Sequence, residues 1–419
     1  MGETHRDIAL GVDIVRKDQN SMLCGLITQI ALYFHCVMYL QGNVSAGQSM
    51  FFYVFLYFLQ GVRMYYRMLG NTGLQVSVLS FGFWATFGVK DRLTANQGIA
   101  SAKEILRYCR QVGINLFDNA EVYGNPRGEA ERIMGEAMAQ LMVEEPESWR
   151  RTDIVVTTKL FWGGEGVNEK GLSRKHIWEG LENSLERLQL SYVDLLFCHR
   201  PDPYTPTETV VRAMTDMVRN GLCTAWGTSE WSAQQITEAF WIARTHNLVP
   251  PEFEQPQYNM FHRTRFEQEY HPLYKHPYNI GTTIWSPLLS GILTGKYNDG
   301  IPDDSRMTQA GYEWLKDDLQ RYQNNGTLQK IRELTQYAQD TFGCSMTQLA
   351  LAWCVKNPNV STVLLGATKI AQLEENIGAL AVVEKLTTKH MADIEKILAN
   401  RPDAYMGYGG KGMRSFKTI

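Results

Sequence analysis

The chain has 419 residues, 44% of them hydrophobic, and 41 Lys and Arg against 44 Asp and Glu give a formal net charge of −3. That length holds one large domain or two medium ones with a sizeable core, and a near-neutral balance with no long basic block argues against nucleic acid as the main partner. Seven cysteines (Cys24, Cys36, Cys109, Cys198, Cys223, Cys344 and Cys354) form no Cys-x-x-Cys pair, which suits reduced thiols in a cytosolic setting, acting as small buried hydrophobes.

Residues 19–62 contain no Asp, Glu, Lys or Arg. Two apolar stretches lie inside this window, 22–40 (MLCGLITQIALYFHCVMYL) and 50–59 (MFFYVFLYFL). The first approaches the ~20 residues a spanning helix needs, although Gln29 and His35 interrupt it at a cost in lipid. Arg16 and Lys17 before the window, with Arg63 and Arg67 after it, suit a hairpin with both ends in the cytosol. A cleaved signal peptide fits poorly, because no small-residue cleavage site follows closely. Two expectations stand for residues 1–63: a membrane-associated extension, or a segment absent from a mature protein that starts at Met64. The globular domain is expected over 64–419.

Residues 64–74 carry Gly70-Asn71-Thr72-Gly73, a turn signal between short apolar pieces, and read as a hairpin. Residues 76–83 (VSVLSFGF) read as a strand, and 97–112 place Ile99, Ala102, Leu106, Cys109 and Val112 at helical spacing. Strand 114–118, helix 128–142, strand 153–160, helix 173–188 and strand 192–199 follow. Thr205 as cap, Pro206 at the first position and Glu208 as capping-box partner announce the next helix. Strand 224–228, helix 233–246 and strands 253–260, 281–287 and 360–366 complete the count, with helices from 371 onward. Residues 299–325 are polar and broken by Gly and Pro, and read as a long loop or irregular helix on the active-site face. The Gly-rich tail 401–419 reads as mobile. Strands alternating with helices at this count predict a closed (β/α)₈ barrel; an open doubly wound sheet is the alternative.

In such a barrel, functional side chains stand where strands end. Asp118 ends the second strand, with Tyr123 just beyond (DNAEVYG). Lys159 ends the third (VVTTKL) and His199 the fourth (LLFCHRPD). This set suits carbonyl reduction, because hydride attack leaves negative charge on oxygen and an acid must then deliver a proton. A neighbouring ammonium, Lys159, lowers the pKa of the Tyr123 phenol. Asp118 holds Lys159 charged and in place, and His199 donates a hydrogen bond to the substrate oxygen. Singly, Asp118 and Lys159 also fit a rim ion pair and His199 a core histidine; together on successive strand ends they favour a site.

Gly407, Gly409 and Gly412 match G-x-G-x-x-G, but no strand precedes and no helix follows them, so they are not a nucleotide loop. His262, His271 and His276 fit no metal spacing and read as surface or packing residues. Phosphate is expected instead where Trp285-Ser286-Pro287-Leu288 follows the seventh strand and Gly366-Ala367-Thr368 follows the eighth, with Lys296 and Arg306 adding charge.

Residues 66 to nearly the end resemble the aldo-keto reductase superfamily, most closely its branch of voltage-gated potassium channel β subunits. The resemblance rests on YRMLGNTGLQVSVLSFGFW, FDNAEVYGNPRGEAERIMG, LSRKHIWEGLENSLERLQLSYVDLLF, HRPDPYTPTETVVRAM, WSPLLSGILTGKYNDGIPDDSR, GYEWLKD and LAWCVKNPNVSTVLLGATKIAQLEENIGAL. It implies a barrel holding NADP(H) across the strand C-terminal ends, with the catalytic tetrad at Asp118, Tyr123, Lys159 and His199. Implied cofactor contacts are Trp84, Asp118, Ser229, Gln255, Trp285, Ser286, Pro287, Leu288, Lys296, Arg306, Gly366, Thr368, Gln372, Glu375 and Asn376, and the Arg306 position implies the NADP preference. It implies reduction of a small aldehyde or ketone, a homotetramer, and docking on the cytosolic domain of a voltage-gated potassium channel as a redox-sensing subunit. Three departures matter. The branch usually has asparagine at His199, whereas the wider superfamily has histidine. Ser229-Glu230 stands where the branch has Ser-Arg, and Phe83 and Lys90 replace other polar contacts. A Schiff-base aldolase using Lys159 is disfavoured by Tyr123 and His199 in family register.

Overall fold

In the computed structural model the residues described are 63–84, 86–87, 95–303, 305–308 and 312–403. The expectations for residues 1–62, for Lys90 and for the glycines at 407–412 fall outside them.

A short antiparallel hairpin comes first, β1 (Tyr66–Met68) and β2 (Gln75–Ser77). Eight parallel strands then close into a ring: β3 (Leu79–Gly82), β4 (Leu116–Asp118), β5 (Val155–Leu160), β6 (Val193–Cys198), β7 (Cys223–Ser229), β8 (Phe253–Gln255), β9 (Gly281–Ile284) and β10 (Thr362–Leu365), which pairs back onto β3. Closure rules out the open sheet and gives the expected (β/α)₈ barrel. Around it run α1 (Ala95–Gln111), α2 (Glu129–Glu144), α3 (Arg174–Leu188), α4 (Thr207–Arg219), α5 (Ala233–Thr245), α6 (Trp314–Asn324), α7 (Thr327–Phe342), α8 (Met346–Lys356), α9 (Ile370–Ile377), α10 (Ala379–Lys385) and α11 (Thr388–Leu398).

The barrel interior is filled, not hollow. Leu116, Val155, Leu195, Phe197, Ala225, Phe253 and Leu364 form one buried cluster with Leu69 and Val76 of the hairpin. Glycine at 227 is required sterically, since a Cβ there would stand 2.2 Å from the Phe253 ring. The hairpin closes one end of this core. Its turn packs so tightly that a Cβ on Gly70, at φ +53°, would stand 2.5 Å from the carbonyl of Glu252. Arg67 fixes the hairpin to the end of α8, donating to the carbonyls of Val355 at 2.8 Å and Asn357 at 3.0 Å.

Three local expectations are corrected. Residues 76–83 are not one strand: the chain changes partner at Val78, so Gln75–Ser77 returns the hairpin and only Leu79–Gly82 enters the barrel. Thr205 does not cap α4, because its hydroxyl donates to Asp202 at 2.8 Å; Pro206 takes the cap position and the helix starts at Thr207. Within 299–325, expected as a long loop or irregular helix, residues 314–324 form a regular helix. The five described cysteines are free and buried, as expected.

Candidate active site

All the predicted catalytic side chains come from one end of the barrel. Asp118 is the last residue of β4, Lys159 the penultimate residue of β5, and His199 directly follows β6. Tyr123 reaches the same place on a turn closed by its N–H to the carbonyl of Ala120 at 3.0 Å. Glu121 anchors that turn: one carboxylate oxygen accepts the N–H groups of Phe161 (2.6 Å) and Gly163 (3.0 Å) and lies 3.2 Å from His176 Nε2. The Tyr123 turn and the loop after β5 are thereby tied together.

Lys159 is fully buried. Its ammonium donates to Asp118 Oδ2 at 2.6 Å, the carbonyl of Asn119 at 2.7 Å and the Tyr123 hydroxyl at 3.2 Å. Asp118 in turn accepts from Thr157 Oγ1 at 2.8 Å and Gln255 Nε2 at 3.1 Å on its other oxygen. A buried ion pair persists when its remaining sites are hydrogen-bonded in this way. Burial disfavours the charged form of Lys159, but Asp118 and Tyr123 together raise its pKa above the usual value. The amine stays an ammonium.

Tyr123 departs from expectation. Burial raises its pKa and outweighs the opposing pull of Lys159, so the net shift is upward rather than downward. The phenol is therefore a protonated, neutral group through physiological pH. His199, with its ring 5.8 Å from that of Tyr123 and nearly perpendicular to it, is held well below the usual histidine pKa by burial and by the charges of Lys159 and Arg200. Its Nδ1 is buried without a partner among the described residues. A neutral phenol, a fixed ammonium and a neutral imidazole thus converge on one point, where an oxygen acquiring negative charge is stabilised.

Asp118, Tyr123 and His199 form part of the wall of a pocket of about 1200 Å³. Lys159 lies behind Asp118 and does not line it. Ser229 and Gln255, at the ends of β7 and β8, line the same end; Ser229 Oγ donates to the Gln255 carbonyl at 2.9 Å. The wall continues through Trp84, through Trp285, Ser286, Pro287 and Leu288 after β9, and through Lys296. This strap turns sharply, with Ser286, Leu289 and Ser290 at φ of 53°, 49° and 55°, a conformation that is uncommon for non-glycine residues and collects at functional sites. Gly366, Thr368, Gln372, Glu375 and Asn376, at and after the end of β10, line the pocket as well. There the side-chain Oε1 of Gln372 accepts the Thr368 N–H at 2.8 Å and closes the start of α9. Arg306 opens a short 3-10 turn, Arg306–Thr308, and its side chain lies outside the described residues; the other expected cofactor residues all line the pocket.

The two departures at 230 and 83 also resolve. Phe83 is fully buried and packs on Phe81 and Phe87. Glu230 turns away from the pocket, pairs with Arg265 at 2.8 Å and accepts the Trp285 indole N–H at 2.9 Å. Sequence reasoning missed Arg200, Val122 and Trp162, which line the catalytic end, and a further wall from α7 and the start of α8 that includes Gln339 and Ser345. Arg200 and Trp162 stand within three residues of strand-end residues that were found, and that proximity was the available signal.

A pocket of this size is large for one small molecule. Its wall carries polar groups from several strand ends, the Lys296 cation and the start of α9, which fits a dinucleotide. A closed eight-stranded barrel, hairpin-capped, with the Asp-Tyr-Lys-His set at its strand ends, is the construction of an aldo-keto reductase. Residues 78–399 match the aldo/keto reductase family, and the chain belongs to that family. Within it, the chain is similar to two plant proteins named "Probable voltage-gated potassium channel subunit beta". It is 50% identical to the one from Oryza sativa subsp. japonica over 347 residues, covering 82% of this chain and 100% of that protein. It is 51% identical to the one from Arabidopsis thaliana over 341 residues, covering 81% and 98%.

Proposed function

We propose that residues 64–419 form an NADPH-dependent reductase of aldehydes and ketones. The supporting observation is the Lys159 ammonium held 2.6 Å from Asp118 and 3.2 Å from the Tyr123 hydroxyl beside a dinucleotide-sized pocket. When bound, the nicotinamide supplies hydride to the carbonyl carbon. Tyr123 gives its phenolic proton to the carbonyl oxygen, and Lys159 stabilises the phenolate left behind. Asp118 keeps Lys159 charged and aimed at that oxygen. Neutral His199 orients the carbonyl by a hydrogen bond. Ser229 and Gln255 hold the end of the cofactor nearest the chemistry, the Trp285–Leu288 strap its centre, and Gly366, Thr368, Gln372, Glu375 and Asn376 its far end. Lys296 and Arg306 carry the phosphates, and Arg306 is the basis for NADP over NAD. The purified domain is expected to oxidise NADPH only in the presence of a reactive aldehyde. Tyr123→Phe is expected to lower kcat by about 10²–10⁴-fold with NADPH affinity retained; an unchanged rate removes Tyr123 from the acid role.

A second reading, compatible with the first, rests on the names of the two plant relatives: a cytosolic, homotetrameric subunit that docks on a voltage-gated potassium channel and reports redox state. His199, where that branch usually has asparagine, favours turnover. Co-purification with a channel's cytosolic domain tests the docking, and sedimentation tests the tetramer. For residues 1–63 we propose a separate extension that associates with membrane through 19–62, the alternative being a segment absent from a mature protein that starts at Met64. Among the described residues no helix is long and apolar enough to cross a membrane. Detergent-free extraction of the full chain, against one starting at Met64, decides it: equal solubility removes the anchor.

A further inference from the structure

Arg200 has no role in the reaction as derived above, yet it stands at its centre. It directly follows His199, is half-buried, and shares the pocket wall with Tyr123, His199 and Trp162. One of its terminal nitrogens, Nη1, donates to the carbonyl of His199 and to Ser229 Oγ, the latter at 3.2 Å. Those bonds fix the guanidinium and leave its other nitrogens without a hydrogen-bond partner among the described residues.

Neighbouring carboxylates are already committed elsewhere. Asp118 pairs with Lys159 at 2.6 Å. Glu121 holds two backbone amides and His176. Asp202 accepts from the N–H groups of Leu172 and Tyr204 and from the Thr205 hydroxyl. Glu230, one residue past Ser229, is taken by Arg265. His199 is kept uncharged. Lys159 is paired with Asp118, and among the described residues no carboxylate pairs with Arg200, whose guanidinium stands on the pocket wall beside the groups that receive the carbonyl oxygen. A half-buried cation without a paired carboxylate is unfavourable, and an arginine fork is shaped to accept a carboxylate through two parallel bonds.

We propose that Arg200 anchors a substrate carboxylate, so that the preferred substrates are aldehydes or ketones that carry an anionic acid group, with Trp162 and Trp84 as the apolar walls. This assignment rests on the reductase reading. The same guanidinium chemistry also suits a cofactor phosphate, the more so because Glu230 stands where the branch usually has arginine, and the experiment separates the two.

The NADPH-loaded protein and its Arg200→Gln variant are compared on 4-formylbenzoate and on its uncharged methyl ester, and NADPH affinity is measured by fluorescence titration. The wild type is expected to favour the carboxylate in kcat/KM. In Arg200→Gln that preference falls at least about tenfold, chiefly through KM, while NADPH affinity changes less than about twofold. Arg200→Lys, which keeps the charge but not the fork, recovers part of the preference and guards against misfolding of the first variant. Equal preference in wild type and variant overturns the proposal, and a tenfold loss of NADPH affinity overturns it in favour of a phosphate contact. If neither aldehyde is turned over, the reductase reading fails, and benzoate binding then decides the anchor: a tenfold weaker affinity in the variant supports it and an unchanged one overturns it.

Discussion

The protonation states of Tyr123 and His199 are set in opposite directions by the same cause. Burial raises the phenol and lowers the imidazole, since each is disfavoured in its charged form. The acid therefore keeps its proton above its ordinary pKa of about 10, and the histidine stays neutral down through its ordinary value of about 6.5. A plot of kcat for reduction against pH is expected to show no inflection between those two values and to fall only at higher pH, as Tyr123 ionises. A midpoint near 6.5 assignable to His199 contradicts this. Asp118→Asn removes the counter-charge of a fully buried ammonium. It is expected to cost about 3–5 kcal/mol in urea unfolding, or to strip Lys159 of its proton, and to lose activity in either case. Asp118, Lys159 and His199 were legible because each ends an apolar run. Arg200 was not, because its significance lies in which carboxylates fail to reach it. The expected lowering of Tyr123 by Lys159 is present but outweighed by burial, because neighbouring charge can be read from sequence, whereas the depth of burial cannot.

At the scale of elements, β8 carries an acid that the chemistry does not use. Glu254 is completely buried against Thr228 and Tyr270, and desolvation raises its pKa to about 8. A carboxyl with a raised native pKa holds its proton in the fold, so its contribution is fully present below the unfolded value of about 4.3 and is lost as pH rises through about 8. Glu254→Gln, which mimics the protonated form, is expected to gain melting temperature over wild type progressively from pH 5 to 8; a gap that stays constant with pH would falsify the burial account. Element identity was largely readable, because period-two and helical runs alternate along the chain. Boundaries failed where tertiary contacts chose the partner. Val78 looks like mid-strand in sequence but is the point where the backbone passes from hairpin to barrel. Thr205 looks like a cap but is held by Asp202 instead.

For the whole molecule, the alternation of strands and helices predicted the ring, and the ring explains why distant residues share one pocket. Trp84 follows the first barrel strand, while Gly366, Thr368 and Asn376 follow the last. A chain ending at residue 356 lacks β10 and everything after it. It is expected to show no saturable NADPH binding and a weakened near-UV circular dichroism, even if the helical far-UV signal remains.

The seam between β10 and β3 joins segments almost three hundred positions apart. During synthesis the first barrel strand leaves the ribosome long before the strand that will cover its open edge exists. Until then the growing chain presents unpaired backbone and apolar side chains to the cell. Its biogenesis is therefore the stage of greatest exposure to aggregation, which ends when β10 pairs with β3 and the ring has no free edge.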